Sequence, residues 1–264
     1  MNIASIQMAV VEGDKEATIK KAVANIERAA DADLIILPEM WNVGFMSFDR
    51  YVSEAETSEG PTLTALREAA VKAGSYLHTG SFVESDGGNF YNSSYLLSPK
   101  GETVANYRKI HLFGYQSKET QLLSSGEKVV VAETELGNFG MATCYDLRFP
   151  ELFRRMVEKG AEIFLVCSAW PYPRLEAWSM LNRVRALENQ CFLVSANSVG
   201  MNEGVRFVGH SMVADPWGVI KAGAGDEEEV MRCAIDLNEL RAARTNFPAL
   251  ADRVSWVDEL ISND

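Results

Sequence analysis

The chain has 264 residues, 47% hydrophobic and 23% charged, enough material to bury a large continuous core as a single domain. Its formal charge of −12 and pI near 4.8 argue against nucleic acid, whose phosphates such a surface repels, and no basic stripe offsets that balance. No apolar run approaches the roughly 20 residues needed to cross a bilayer, and Met1–Val10 reads as a first strand rather than a leader, so a cytoplasmic protein with no membrane partner is expected.

Cysteines stand at 144, 167, 191 and 233 without a C-x-x-C pair, a pattern of reduced thiols. His78, His111 and His210 are too scattered for a zinc signature, so neither metal nor cofactor is expected.

In chain order, 2–8 and 33–37 read as strands around a helix at about 15–31, and Pro61 opens a helix reaching about 74. Strands near 76–84 and 89–98 flank Asp86-Gly87-Gly88, a hairpin signal. After a strand near 102–107 comes an irregular stretch, 108–127, of a length that in compact domains tends to be functional; it contains Lys109, His111 and Glu119. Strands at 128–135 and 139–144, joined through Gly137-Asn138, precede a helix at about 150–160. The pattern then runs strand 162–167, helix 174–189 and strand 191–196. Strands around 210–215, 218–222 and 229–236 and a helix near 237–245 complete a domain spanning 1–246, with 247–264 as an arm or tail. Apolar strands alternating with helical-period segments define an α/β protein whose sheets are covered by helices.

Three residues carry candidate chemistry. Glu39 follows the apolar strand Asp33–Leu37 and Pro38, which ends the ladder and leaves a carboxylate at the sheet rim. Lys109 ends a strand among aromatic and aliphatic neighbours, where a lysine kept cationic by a carboxylate can stabilise an oxyanion. Cys144 ends Phe139–Thr143 and begins a polar turn, near backbone N–H groups able to hold an anion. Taken alone, Glu39 reads more readily as a loop-bonding carboxylate and Lys109 as a snorkelling surface lysine, while Cys144 is as readily a small core residue. Together they supply base, electrostatic clamp and nucleophile, the set needed to open an amide.

Four blocks, Leu37-Pro38-Glu39-Met40, Tyr107–Phe113, Cys144–Glu151 and Arg183–Gln190, resemble the nitrilase-like carbon-nitrogen hydrolases, omega-amidase and Nit branch, over nearly the whole chain. The resemblance implies a four-layer α-β-β-α sandwich, with Glu39 as general base, Lys109 as oxyanion partner, Cys144 as nucleophile and Glu119 in support. It also implies a homodimer, and a small-molecule amide as substrate. The pocket candidates are Trp41, Phe45, Phe113, Tyr145, Trp170 and Tyr172, with Arg148 and Arg174 placed to pair a substrate carboxylate unless an internal acid such as Glu151 holds Arg148. Ser168–Arg174 and Phe113–Gln116 depart from the omega-amidase pattern, which leaves the amide open, a small ω-amide of a dicarboxylic acid coming first. A nitrile or N-carbamoyl substrate, a Cys-His hydrolase using His111 or His210, and a catalytically silent binding module on the same fold are the rival readings.

Overall fold

The strands expected from apolar runs are buried on both faces, and that decides the architecture. In the computed structural model, which describes residues 1–254, one six-stranded mixed sheet contains β1 (Asn2–Gln7), β2 (Leu34–Ile36), β3 (Tyr76–Asp86), β4 (Asn89–Leu97), β5 (Thr103–Arg108) and β14 (Glu229–Ala234), ordered β14-β1-β2-β3-β4-β5. The second contains β6 (Val131–Thr134), β7 (Gly137–Thr143), β8 (Ile163–Ser168), β9 (Phe192–Asn197), β12 (Met212–Ala214) and β13 (Ile220–Gly223), ordered β13-β12-β9-β8-β7-β6. Alternate residues of each central strand point to opposite layers. Ile3, Leu34 and Ile36 meet Ile163, Leu165, Phe192 and Val194 between the sheets. On the outer face, Ala4, Ile6 and Ile35 pack against α1 (Lys15–Arg28) and α2 (Pro61–Ala73). Phe164 and Val166 pack likewise against α4 (Pro150–Glu158) and α5 (Leu175–Asn189). The order of layers is helices, sheet, sheet, helices, the four-layer sandwich.

The expected hairpin forms, with Gly87 (φ 58°) and Gly88 (φ 85°) both left-handed between β3 and β4, the backbone a tight two-residue turn demands. Elsewhere the expected boundaries move. The turn between β6 and β7 is Glu135-Leu136, and Gly137-Asn138 already belong to β7, pairing with Thr134 and Glu133. A 3₁₀ turn, Cys144–Arg148, separates β7 from α4, and within 108–127 a short helix, α3 (Glu119–Leu122), forms. The hairpin β10 (Val199–Asn202) and β11 (Val205–Val208) occupies a stretch to which sequence patterning assigned nothing. Helix α6 (Leu237–Asn246) closes the described fold, after which Gln190 donates to the Phe247 carbonyl (2.7 Å) and Arg253 bonds Glu158 (3.1 Å). Of the tail expected at 247–264, residues 255–264 lie outside the described residues.

Candidate active site

Glu39, Lys109 and Cys144 all lie at or just past the ends of strands, two on one sheet and one on the other. Chain reversal after β2 needs close backbone contact with β3. A Cβ on Gly80 (φ 64°) would stand 2.0 Å from the Pro38 carbonyl oxygen, so glycine there lets the Pro38-Glu39 segment settle on the sheet. Gly126 serves Lys109 similarly: its N–H donates to the Lys109 carbonyl (2.8 Å), and a Cβ would meet the Arg108 carbonyl oxygen at 2.0 Å. Cys144 adopts a left-handed backbone (φ 47°), a costly conformation for a residue with a Cβ and one that concentrates at functional turns.

The side chains of Glu39, Lys109 and Glu119 are wholly buried. The Lys109 ammonium donates to Glu39 Oε1 (2.8 Å) and to Glu119 Oε1 (3.0 Å) and Oε2 (2.9 Å). Asn92, on β4, donates through Nδ2 to both carboxylates, Glu39 at 2.9 Å and Glu119 at 2.8 Å. The second Glu39 oxygen accepts the Ala169 N–H (2.9 Å), and Glu119 Oε2 also accepts the Phe113 N–H (2.7 Å). Buried charges persist only when paired and hydrogen-bonded, and every oxygen of the two glutamates meets that condition.

Burial alone would pull the Lys109 ammonium down, but Glu119 and Glu39 outweigh it and hold it well above its ordinary value. Burial raises Glu119, with Lys109 opposing and the Glu39 charge reinforcing the rise. For Cys144, burial pushes the thiol well above its usual range and the Glu39 charge adds to the rise, while Lys109 and the Ser168 hydroxyl act the other way. The resting sulfur is therefore a thiol beside a carboxylate, and needs a base before it can attack.

Above Cys144 lies a narrow cleft lined by Phe45, Phe113, Tyr145, Arg148, Ala169, Trp170, Pro171 and Arg174. The Arg148 guanidinium lies 5.2 Å from the Trp170 ring centroid, and that of Arg174 lies 5.5 Å from Phe113 and 5.9 Å from Tyr115. Among the described residues no carboxylate pairs with either arginine, so the internal-acid alternative for Arg148 finds no partner.

Two pocket candidates sit elsewhere. Trp41 is buried among Leu37, Leu63, Leu66 and Leu77, its indole N–H donating to the Thr79 carbonyl (2.8 Å). The left-handed Met40 (φ 48°) turns the chain immediately after Glu39, and Trp41 enters the layer between sheet and helices instead of the cavity. Tyr172 donates its hydroxyl to Asp226 (2.9 Å). The two histidines weighed as a base have carboxylate partners that sequence did not reveal: His111 Nδ1 lies 2.7 Å from Asp146, and His210 Nε2 3.2 Å from Asp226. No hydrogen bond among the described residues joins either imidazole to Cys144, and Asp146 instead ties β5, β7 and His111 together by accepting from Tyr107, Thr143 and His111.

Sequence reading missed Asn92 and the Ala169 N–H. A signal for the first existed, since Asn92-Ser93-Ser94 is a polar run in the middle of an apolar strand and such groups, once buried, must have partners. Nothing local marks a backbone N–H as a carboxylate ligand.

The carbon-nitrogen hydrolase family model matches residues 2–245, and the chain belongs to that family. It is 37% identical to the 2-oxoglutaramate amidase of Paenarthrobacter nicotinovorans over 91% of this chain and 83% of that protein. It is 34% identical to the 2-oxoglutaramate amidase of Bacillus subtilis (strain 168), covering 95% and 96%. Among solved structures, XC1258 from Xanthomonas campestris, a CN-hydrolase superfamily protein, superposes with a TM-score of 0.91 at 30% identity, covering 97% of each chain.

Proposed function

We propose that this enzyme hydrolyses a small carboxylate-bearing amide to a carboxylic acid and ammonia through a thioester on Cys144. The observation that carries the reading is one fully buried ammonium, Lys109, within 2.8–3.0 Å of both Glu39 and Glu119 beside the only thiol that lines the cavity. Glu39 takes the Cys144 proton as the sulfur attacks the substrate carbonyl, while Lys109 and the Tyr145 N–H hold the developing oxyanion. Collapse of the tetrahedral intermediate breaks the C–N bond, Glu39 returns the proton to the leaving nitrogen, and ammonia departs. Glu39 then deprotonates a water that attacks the thioester, and the proton ends on the Cys144 sulfur as the acid leaves. Glu119 acts by fixing the Lys109 ammonium and, through the Phe113 N–H, one wall of the cavity.

Arg148 and Arg174 favour an anionic substrate, since a guanidinium beside an apolar cavity and with no carboxylate partner among the described residues can pair a substrate carboxylate. Two relatives are named 2-oxoglutaramate amidases, and an ω-amide of a short dicarboxylic acid is the substrate class we assign. The two sheets share one continuous core, which supports residues 1–246 as a single domain. Exposed Met180 and Leu187 on α5, the latter against the Trp217-Gly218 turn, support a homodimer. No helix among the described residues is long and apolar enough to cross a membrane, and four free thiols suit the reducing cytoplasm.

The test is ammonia release from a panel of ω-amides, uncharged amides, nitriles and N-carbamoyl amino acids, with intact-mass detection of the acyl-enzyme. The expected result is turnover of carboxylate-bearing amides and an adduct on Cys144 that Cys144→Ala abolishes. Turnover only of nitriles or carbamoyl compounds, or no adduct on Cys144, overturns the reading.

A further inference from the structure

Strand β8 ends beside the nucleophile. In the parallel pairing of β7 with β8, the last matched residues are Thr143 and Cys167, so the next two are neighbours, Cys144 just past the end of β7 and Ser168 the last residue of β8, paired with Asn197 of β9. Outer-face positions of β8 are Phe164 and Val166, which pack in the same layer as Cys144, and Ser168 continues that alternation.

The backbone of Ser168 is pinned from two sides. Its carbonyl accepts the N–H of Glu39 (3.2 Å) and that of Ser198 (2.9 Å), and the next N–H, of Ala169, holds the Glu39 carboxylate. Ser168 thus sits between nucleophile and base. Its side chain is wholly buried, and among the described residues its hydroxyl meets no nitrogen or oxygen partner, only the neutral Cys144 thiol, a weak acceptor, beside it. A buried hydroxyl with so weak a partner is uncommon and costs stability. Next to a sulfur that must become an anion, the cost has a use, because a charged acceptor binds a hydroxyl more strongly than a neutral thiol does.

We infer that the Ser168 hydroxyl donates a hydrogen bond to the Cys144 thiolate as Glu39 removes its proton, making Ser168 a further residue of the catalytic machinery. The hydroxyl keeps its own proton throughout: the S–H bond breaks, the proton goes to Glu39, and the Ser168 O–H turns towards the sulfur. The bond weakens again once the sulfur is acylated. This inference rests on Cys144 being the nucleophile. It also gives the thiolate a donor that does not compete with the substrate for Lys109.

The experiment is the rate of Cys144 alkylation by iodoacetamide across pH, located by peptide mass spectrometry, in the wild-type enzyme, Ser168→Ala and Ser168→Thr. Loss of a hydrogen bond to a charged acceptor should slow Ser168→Ala alkylation at neutral pH about tenfold and move its pH midpoint up by about one unit. Ser168→Thr, which keeps the hydroxyl, should restore the wild-type midpoint even if its rate is lower. A midpoint unchanged in Ser168→Ala, with wild-type Cys144 reactive, overturns the role of Ser168 alone. The same midpoint shift in both variants assigns it to altered packing and also overturns the role. A wild-type Cys144 no more reactive than the half-buried Cys233 removes the nucleophile, and both readings fall together.

Discussion

The floor and the mouth of the cavity are built on opposite principles. At the floor, Glu39, Lys109 and Glu119 are fully buried and saturate one another, with Asn92 and the Ala169 and Phe113 N–H groups completing the set. At the mouth, Arg148 and Arg174 rest on aromatic rings with no carboxylate partner among the described residues. The floor needs fixed geometry, because preorganised charge stabilises a transition state only if it need not reorganise. On the proposed function, the mouth keeps two cationic groups free for the substrate, since a guanidinium already paired internally would have to break that pair before binding. Chemistry and specificity are thus separated by how completely the polar groups are satisfied in the resting enzyme.

The sharpest way to break this contrast is at the floor. Lys109→Met should lower kcat about 100- to 1,000-fold, as deletion of an oxyanion donor does. It should also cost about 3–5 kcal/mol of stability, because two carboxylates remain buried without their cation. Steady-state kinetics with urea unfolding measures both, and a stable variant with unchanged kcat would remove the floor as the reacting centre. At the mouth the effect should be smaller and of another kind. Arg174→Leu should raise KM for a carboxylate-bearing amide about tenfold while kcat moves less, because the contact lies away from the reacting carbon. An uncharged amide of the same length should be unaffected, and an equal loss on both substrates would show Arg174 to be structural.

A buried group outside the cavity sets a pH dependence of stability. Burial holds His78 down at about 3, and its Nε2 has no partner among the described residues. Unfolding exposes an imidazole that titrates near 6.5, so below that value the unfolded chain binds one more proton than the native state. His78 therefore leaves stability intact above about pH 6.5 and removes it progressively as the pH falls, at most about 1.4 kcal/mol per pH unit, until the native imidazole also protonates. Urea midpoints between pH 6.5 and 4 should fall more steeply for wild-type than for His78→Gln. Parallel curves would mean that His78 is protonated in the native state.

Much of the frame was legible locally. Strands such as Ile163–Ser168 declare themselves because both faces are buried and the run is continuously apolar, and the Gly87-Gly88 turn because it needs two left-handed residues. The β10–β11 hairpin escaped because Val199–Asn202 and Val205–Val208 mix buried with exposed positions in strands too short to carry a period. Trp41 was misplaced because an aromatic two residues after Glu39 carries no sign of which side of the sheet the next turn will choose.

By itself, the order of residues determined the layered α/β architecture and the candidates proposed as base, ammonium and nucleophile, since strand period and the chemistry of a side chain at a strand end are local properties. Only the tertiary structure decided that Lys109 serves two carboxylates, that Asn92 clamps both, that Trp41 belongs to the core and that Arg148 and Arg174 stay unpaired among the described residues. The reason is one of range. Glu39 meets Lys109 across 70 positions and the Ala169 N–H across 130, and which distant groups meet is set by how the two sheets pack, which no local pattern encodes.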